Sequence, residues 1–377
     1  MDPAQDARRA RLAGPPLSGE SPPVPMAPEG STAVRRGAIG AVSAWWRGHA
    51  ESVLKWSTGV AAVLPGLALA GVLVPLLVEA IPAIRGNGLG FFTRSAWEPG
   101  NFYNPPVTIG GVTRPAGASY GAWPLVVGTL ESSLVAIVVA VPVAFGTAMV
   151  VVWKLPRRLS AGIGFCLEML AGIPSVVFGL WAALTLGPFL SRHVFPFVSH
   201  HTPDVPPLSF FHGPVGSGEG LATSGLVLAV MVVPIIASTS RDLLRQVPRG
   251  TEEGAVALGM TDLEVARTVS IPWVRAGVFG ACVLGLARAL GETMAVAMAS
   301  GVVLGTIPHD AYATFGTIAS VIVSQLDSAL TDGTGFAVRT LAELGLVLLG
   351  ISLLVNVVAR LLVRRSSSVA LPVGRGI

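Results

Sequence analysis

The chain has 377 residues, of which 52% are hydrophobic and only 12% charged, with a formal net charge of +4. A soluble domain carries about 25% charged residues, and these apolar residues come in blocks of the roughly 20 needed to cross a bilayer, so a soluble globular protein is excluded. The 25 basic residues form no single patch, which argues against nucleic acid as a partner, and two cysteines, Cys166 and Cys282, lie in apolar segments without metal-ligand spacing.

Residues 1–56 begin with a Pro-, Gly- and Ser-rich stretch (Gly14-Pro15-Pro16 to Ser21-Pro22-Pro23) without apolar periodicity, which predicts a disordered tail. It is either a segment of little consequence or a regulatory one. Six apolar blocks follow, at 58–84, 123–153, 161–186, 221–240, 277–306 and 338–363, which predicts an all-α, polytopic membrane protein. Pro65, Pro75, Pro142, Pro174 and Pro234 interrupt them, and Gly172-Ile173-Pro174-Ser175 predicts a bent or partly re-entrant third block. With the N-terminus inside, 19 basic residues fall on the inner side and five outside, while Arg288 lies within a block. Both termini are therefore expected in the cytoplasm. The organisation is then a tail (1–56), a six-helix domain (57–365) and a C-terminal tail (366–377). The first outer loop spans 85–122, followed by outer loops at 187–220 and 307–337, and one long charged inner loop spans 241–276. No GxxxxGK[ST] loop is present, so ATP is not bound in that way. The six histidines all lie outside the blocks, and no Ser-His-Asp set or zinc motif is apparent.

The inner loop carries the strongest local signals. Thr251 to Gly259 reads as a short helix stopped by the glycine, and Thr261-Asp262-Leu263-Glu264 fits a capping box opening a second short helix that ends before Pro272. Two capped helices make a protrusion, either a solvated connector or a docking site. The spacing of Glu253, Ala255, Gly259, Val269, Ile271 and Pro272 resembles the EAA loop of ABC importer permeases, with Gly254, Val269 and Ile271 departing from the consensus. The resemblance implies a type I importer permease fold in which this loop enters a cleft of a separate ATPase. Glu253, Ala255 and Gly259 would then lie at the contact, with Gly259 permitting close backbone approach.

Two further stretches resemble the phosphate permeases of that family. Gly285-Leu286-Ala287-Arg288-Ala289-Leu290-Gly291-Glu292-Thr293-Met294-Ala295-Val296 is similar to their GLGRALGETMAV segment. Glu168 to Trp181 is similar to ELLAGIPSVVYGLWG, and the stretch ahead of the second block favours the PstC type of the two related permeases. The resemblance covers about residues 59–365. It implies a bacterial inner-membrane subunit that imports inorganic phosphate by alternating access. Its partners would be a second homologous permease, two copies of a cytoplasmic ATPase that uses ATP and Mg, and an extracytoplasmic phosphate-binding protein. No cofactor, metal or catalytic residue is expected on this chain. A permease for molybdate or sulfate, or a motor-free secondary transporter, remains an alternative.

Arg288 and Glu292 are four residues apart, where opposite charges on one helix face can pair. They are either a self-neutralised packing pair or, with Thr293, part of the solute path, Arg288 acting as a transient counter-charge. Glu168 and Glu343, inside the third and sixth blocks, are expected to join polar networks or contact solute.

Overall fold

The computed structural model describes residues 30–367, except 102, 204 and 207, and side chains from 52 to 362. The chain divides into two units at Gly71/Val72 and, apart from the first part of α1, the features below lie in the second. The helices are α1 (Gly30–Asn87), α2 (Trp123–Trp153), α3 (Arg157–Ala171), α4 (Ser175–His201), α5 (Leu221–Leu244), α6 (Arg249–Ala257), α7 (Asp262–Leu290), α8 (Met294–Ala299), α9 (Ile318–Ala329) and α10 (Phe336–Ser367). Among the described residues, six helices are long and apolar enough to span a membrane: the Ser52–Phe92 part of α1, then α2, α4, α5, α7 and α10.

At the centre α5 lies along α2, flanked by α3, α7 and α8. The packing follows from residue size. Gly128, Ser132, Ala136, Ala140, Ala144 and Ala148 recur every fourth residue on α2, and all are buried. Large residues on the same helix point away: Leu134 is 61% and Val138 65% exposed. In lipid, burying large apolar side chains between helices gains little over leaving them among acyl chains. Small residues allow close approach and dense van der Waals contact. Substituting Ala140 by Leu is expected to destabilise the fold by about 1–3 kcal/mol through overpacking. Thermal unfolding in detergent measures this, with Leu134→Ala on the outer face as the control that stays near wild type.

The structure adds to or departs from the sequence expectations at five places. First, α1 reaches back to Gly30, so residues 30–56 are helical; residues 1–29 and 368–377 lie outside the described residues. The Pro-rich composition that suggested disorder ends at Pro28, and the Ala- and Arg-bearing stretch beyond it has no proline until Pro65. Second, two small antiparallel sheets occupy the first loop: a hairpin of β2 (Val107–Ile109) and β3 (Val112–Arg114), and the pair β1 (Trp97–Glu98) and β4 (Ser119–Tyr120). Their Trp97, Val112 and Tyr120 join Phe336, Leu341 and Ile318 in one core, so the loop is folded onto the helices rather than by itself.

Third, the expected third block is two helices. The break falls at Gly172-Ile173-Pro174, where predicted, but α4 then continues to His201 through a segment expected to be a loop. Fourth, α7 does not stop before Pro272; it runs unbroken from Asp262 to Leu290. Both differences share a cause. A proline ring clashes with the carbonyl four residues earlier and lacks an N–H to donate. Pro188, Pro196 and Pro272 each follow by two residues a π-helical turn, at Ala182–Leu186, Leu190–Val194 and Ala266–Ser270. Widening the turn around Leu184, Arg192 and Thr268 makes room for each ring, so the helix continues.

Fifth, the expected 277–306 block ends at Leu290. Gly291 to Thr293 break it, α8 adds six residues, and residues 300–317 are largely non-helical. Irregular backbone among membrane helices needs protein partners for its polar groups. Here the amides of Gly220, Leu221 and Ala222, at the start of α5, donate to the carbonyls of Ala299, Ala313 and Ala311. The Ile318 amide donates to Thr129 Oγ1 at 3.0 Å. At about 1.5 Å rise per residue, the 12 residues of α9 are too short to cross a bilayer.

Candidate functional site

The 241–276 segment forms a compact protrusion. Helix α6 ends on Gly259, whose φ of +87° is open to glycine and costly to other residues. The Gly259 amide donates to the Val256 carbonyl (2.9 Å) and the Met260 amide to the Ala255 carbonyl (3.3 Å). These two bonds make a Schellman motif that satisfies the helix-end carbonyls. A side chain added at Gly259 would meet nothing within 4 Å, so the backbone turn requires this glycine, not a close approach within the chain. The capping box expected at the start of α7 is present: Thr261 N–H donates to Glu264 Oε2 at 2.8 Å and Thr261 Oγ1 accepts from the Glu264 amide. Ser270 Oγ donates to Glu252 Oε1 at 2.6 Å, tying α6 to the π-helical turn of α7.

These bonds decide which residues face outward. Ala255 is 7% exposed and packs against its own chain. Glu253 is exposed beside it, and Leu258 is 81%, Leu263 55% and Val256 54% exposed. Val269 and Ile271 are partly buried, and Pro272 is exposed within the continuous helix. An apolar group at the tip of a folded, polar-capped protrusion is unusual unless it meets a partner.

A charged cluster joins this protrusion to the helix bundle. Arg241, near the end of α5, is 8% exposed; its Nη2 lies 3.4 Å from Glu168 Oε1 on α3 and its Nε 3.0 Å from Asp242 Oδ1. The guanidinium lies over Gly164, where a Cβ would sit 2.2 Å from Nη1. Gly164→Ala is therefore expected to push Arg241 from its pairing with the largely exposed Glu168 and lower stability by about 1 kcal/mol. A melting temperature equal to wild type would refute this. Glu168 thus pairs with Arg241, a residue 73 positions away in the chain. An ionisable residue at the end of an apolar block was the available signal.

Glu343 is buried on α10 and accepts from Asn87 Nδ2 at 2.8 Å, and Arg339 Nε lies 3.8 Å from Glu79 Oε2. The two contacts bind the end of α1 to α10. Asn87 carried no signal in the sequence.

Arg288 and Glu292 do not share a helix face. Arg288 is in the last turn of α7 and is exposed; among the described residues no carboxylate lies within 4.0 Å of it. Glu292 lies within the break, and its Oε1 accepts from the Ala295 amide at 3.4 Å, serving an orphan donor at the start of α8. Thr293 is the residue before α8 and makes no side-chain cap. The helix ends at Gly291 before the fourth residue of the expected pair is reached, which separates the charges.

Residues 140–368 match the model of the binding-protein-dependent transport system inner membrane component family. The phosphate transport system permease protein PstC 1 of Mycobacterium tuberculosis is 59% identical over 88% of this chain and 98% of its own, as is that of Mycobacterium bovis. The PstC permease of Haemophilus influenzae is 34% identical over 84% of this chain and 93% of its own. A chain of the MetNI methionine ABC transporter, in an inward-facing crystal form, aligns with a TM-score of 0.45 and 18% identity over 65% of this chain and 96% of that one. The chain belongs to the binding-protein-dependent transport system inner membrane components and, within them, to the PstC-type phosphate transport system permease proteins.

Proposed function

We propose that this chain is a membrane-spanning subunit of an ATP-driven importer of inorganic phosphate, in a bacterial inner membrane with both termini in the cytoplasm. It pairs with a second, homologous permease and receives phosphate from an extracytoplasmic binding protein. Two ATPase subunits bind ATP and Mg, one of them against the 241–276 protrusion of this chain. The observation that carries the reading is the 59% identity to phosphate permeases across nearly the whole length of both chains. The basic-residue distribution supports the orientation.

On this reading the docking surface is Glu253 with Val256, Leu258 and Leu263, while Ala255, Gly259 and the Thr261 box hold the protrusion in shape. Closure of the ATPases would press on α6 and α7. The unbroken α7 would carry that motion across the membrane to its end at Arg288, and the Arg241–Glu168 contact would pass it to α3. Arg288 serves the passing anion as a transient counter-charge. Glu292 and Thr293 shape the break beside it. A conduit has to release what it admits, so high affinity belongs to the binding protein. Reconstitution with the partner subunits tests the whole: phosphate uptake and phosphate-stimulated ATP hydrolysis are expected, and neither should respond preferentially to molybdate or sulfate. Uptake that persists without ATP would overturn the reading.

A further inference from the structure

A positively charged cavity lies at the base of the protrusion, apart from its exposed apolar tip. The end of α2, the start of α3, the end of α5 and the start of α6 enclose a cavity of about 520 Å³. Its polar lining is Arg157, Ser160, Arg245, Arg249 and Glu252, with Trp153 among its apolar walls. The three arginines have no carboxylate within 4.0 Å among the described residues. Glu252, whose Oε1 accepts from Ser270 Oγ, contributes a carboxylate to the lining. Arg245 Nη2 donates to Ser160 Oγ at 2.9 Å, and Ser160 is almost fully buried.

The helix ends add an independent observation. Both α3 and α6 begin with an arginine, Arg157 and Arg249, preceded by a proline, Pro156 and Pro248, that supplies no side-chain cap. A helix start carries partial positive charge and unpaired N–H groups, so it favours anions and disfavours cations. Two helix starts that each carry an exposed arginine, opening on one cavity with a third exposed arginine, concentrate positive charge where an anion would be favoured. Guanidinium forks, a serine hydroxyl and backbone N–H groups are the donors that a tetrahedral oxyanion accepts.

We propose that this cavity binds a phosphate group, either the phosphodiester of an anionic lipid or free inorganic phosphate. An acidic peptide fits less well. Its carboxylates would have to enter a concave site against apolar walls (Trp153, Val151, Val152), whereas a lipid headgroup lies at that boundary by itself. The proposal does not depend on which solute the chain transports.

The test uses the purified full-length chain in neutral detergent. Native mass spectrometry compares retention of phosphatidylglycerol with that of phosphatidylcholine, and calorimetry measures binding of inorganic phosphate without lipid. For a lipid site, phosphatidylglycerol is expected to be held about tenfold more strongly than phosphatidylcholine, the preference falling to parity in R157Q/R245Q/R249Q. For a free-phosphate site, calorimetry gives binding that the same variant loses, with no lipid preference. Because the triple variant risks misfolding, R249Q alone, at an exposed position, is measured as well and should lose several-fold. If neither ligand distinguishes wild type from R249Q and the triple variant, the proposal is wrong. It is equally wrong if the substitutions weaken only attachment of the ATPase, since the cavity is then a protein contact.

Discussion

Arg288→Ala is expected to abolish phosphate uptake while leaving the complex assembled. Arg288 is exposed at the end of α7, packs into no core cluster and pairs with no carboxylate within 4.0 Å among the described residues. Its removal should therefore cost the fold little. A cation at membrane depth costs about 2.5–3.5 kcal/mol on insertion scales, which makes an unpaired one hard to account for structurally. Arg288→Lys is expected to restore part of the uptake, because an ammonium keeps the charge but loses the fork that grips an oxyanion. Glu292→Gln keeps an acceptor for the Ala295 amide and should keep the break intact. Uptake at the wild-type rate in Arg288→Ala, with the complex intact by size-exclusion chromatography, would rule out the counter-charge role. Loss of assembly would instead assign Arg288 to packing.

The second large effect is expected at the protrusion. Leu258→Asp should detach the ATPase and eliminate uptake, with chain stability unchanged to within about 0.5 kcal/mol. Leu258 is the most exposed of the apolar residues there, at 81%, and follows a helix end whose Schellman bonds are made by backbone alone. A charge at this position therefore meets only water in the free chain, but would be desolvated in an apolar partner cleft. Ala255→Asp is the contrasting variant. At 7% exposure it should lower the melting temperature before any partner is added. Copurification of the ATPase with Leu258→Asp at wild-type stoichiometry would place the docking surface elsewhere.

Local chemistry made part of this protein legible from its residues. The capping box at Thr261 and Glu264, the helix stop at Gly259 and the break at Gly172-Ile173-Pro174 each depend on neighbours within a few positions, and each is where the sequence put it. The six spans were legible because bilayer thickness imposes a length of apolar residues that composition reveals. The sequence also carried the every-fourth small residues of α2, but what they pack against is a matter of the fold. Tertiary structure alone decided the rest. It set Arg241 beside Glu168 across 73 residues and Asn87 beside Glu343 across 256. It ended α7 between Arg288 and Glu292, and it carried α4 and α7 through prolines that local rules treat as stops. The reason is common to these cases. A buried polar group takes whichever partner packing brings within reach, and a helix tolerates a proline when a widened turn removes the clash. Partner choice is independent of sequence spacing, and the widened turn, though it ends two residues before each proline, is a backbone adjustment that helix-stop rules omit.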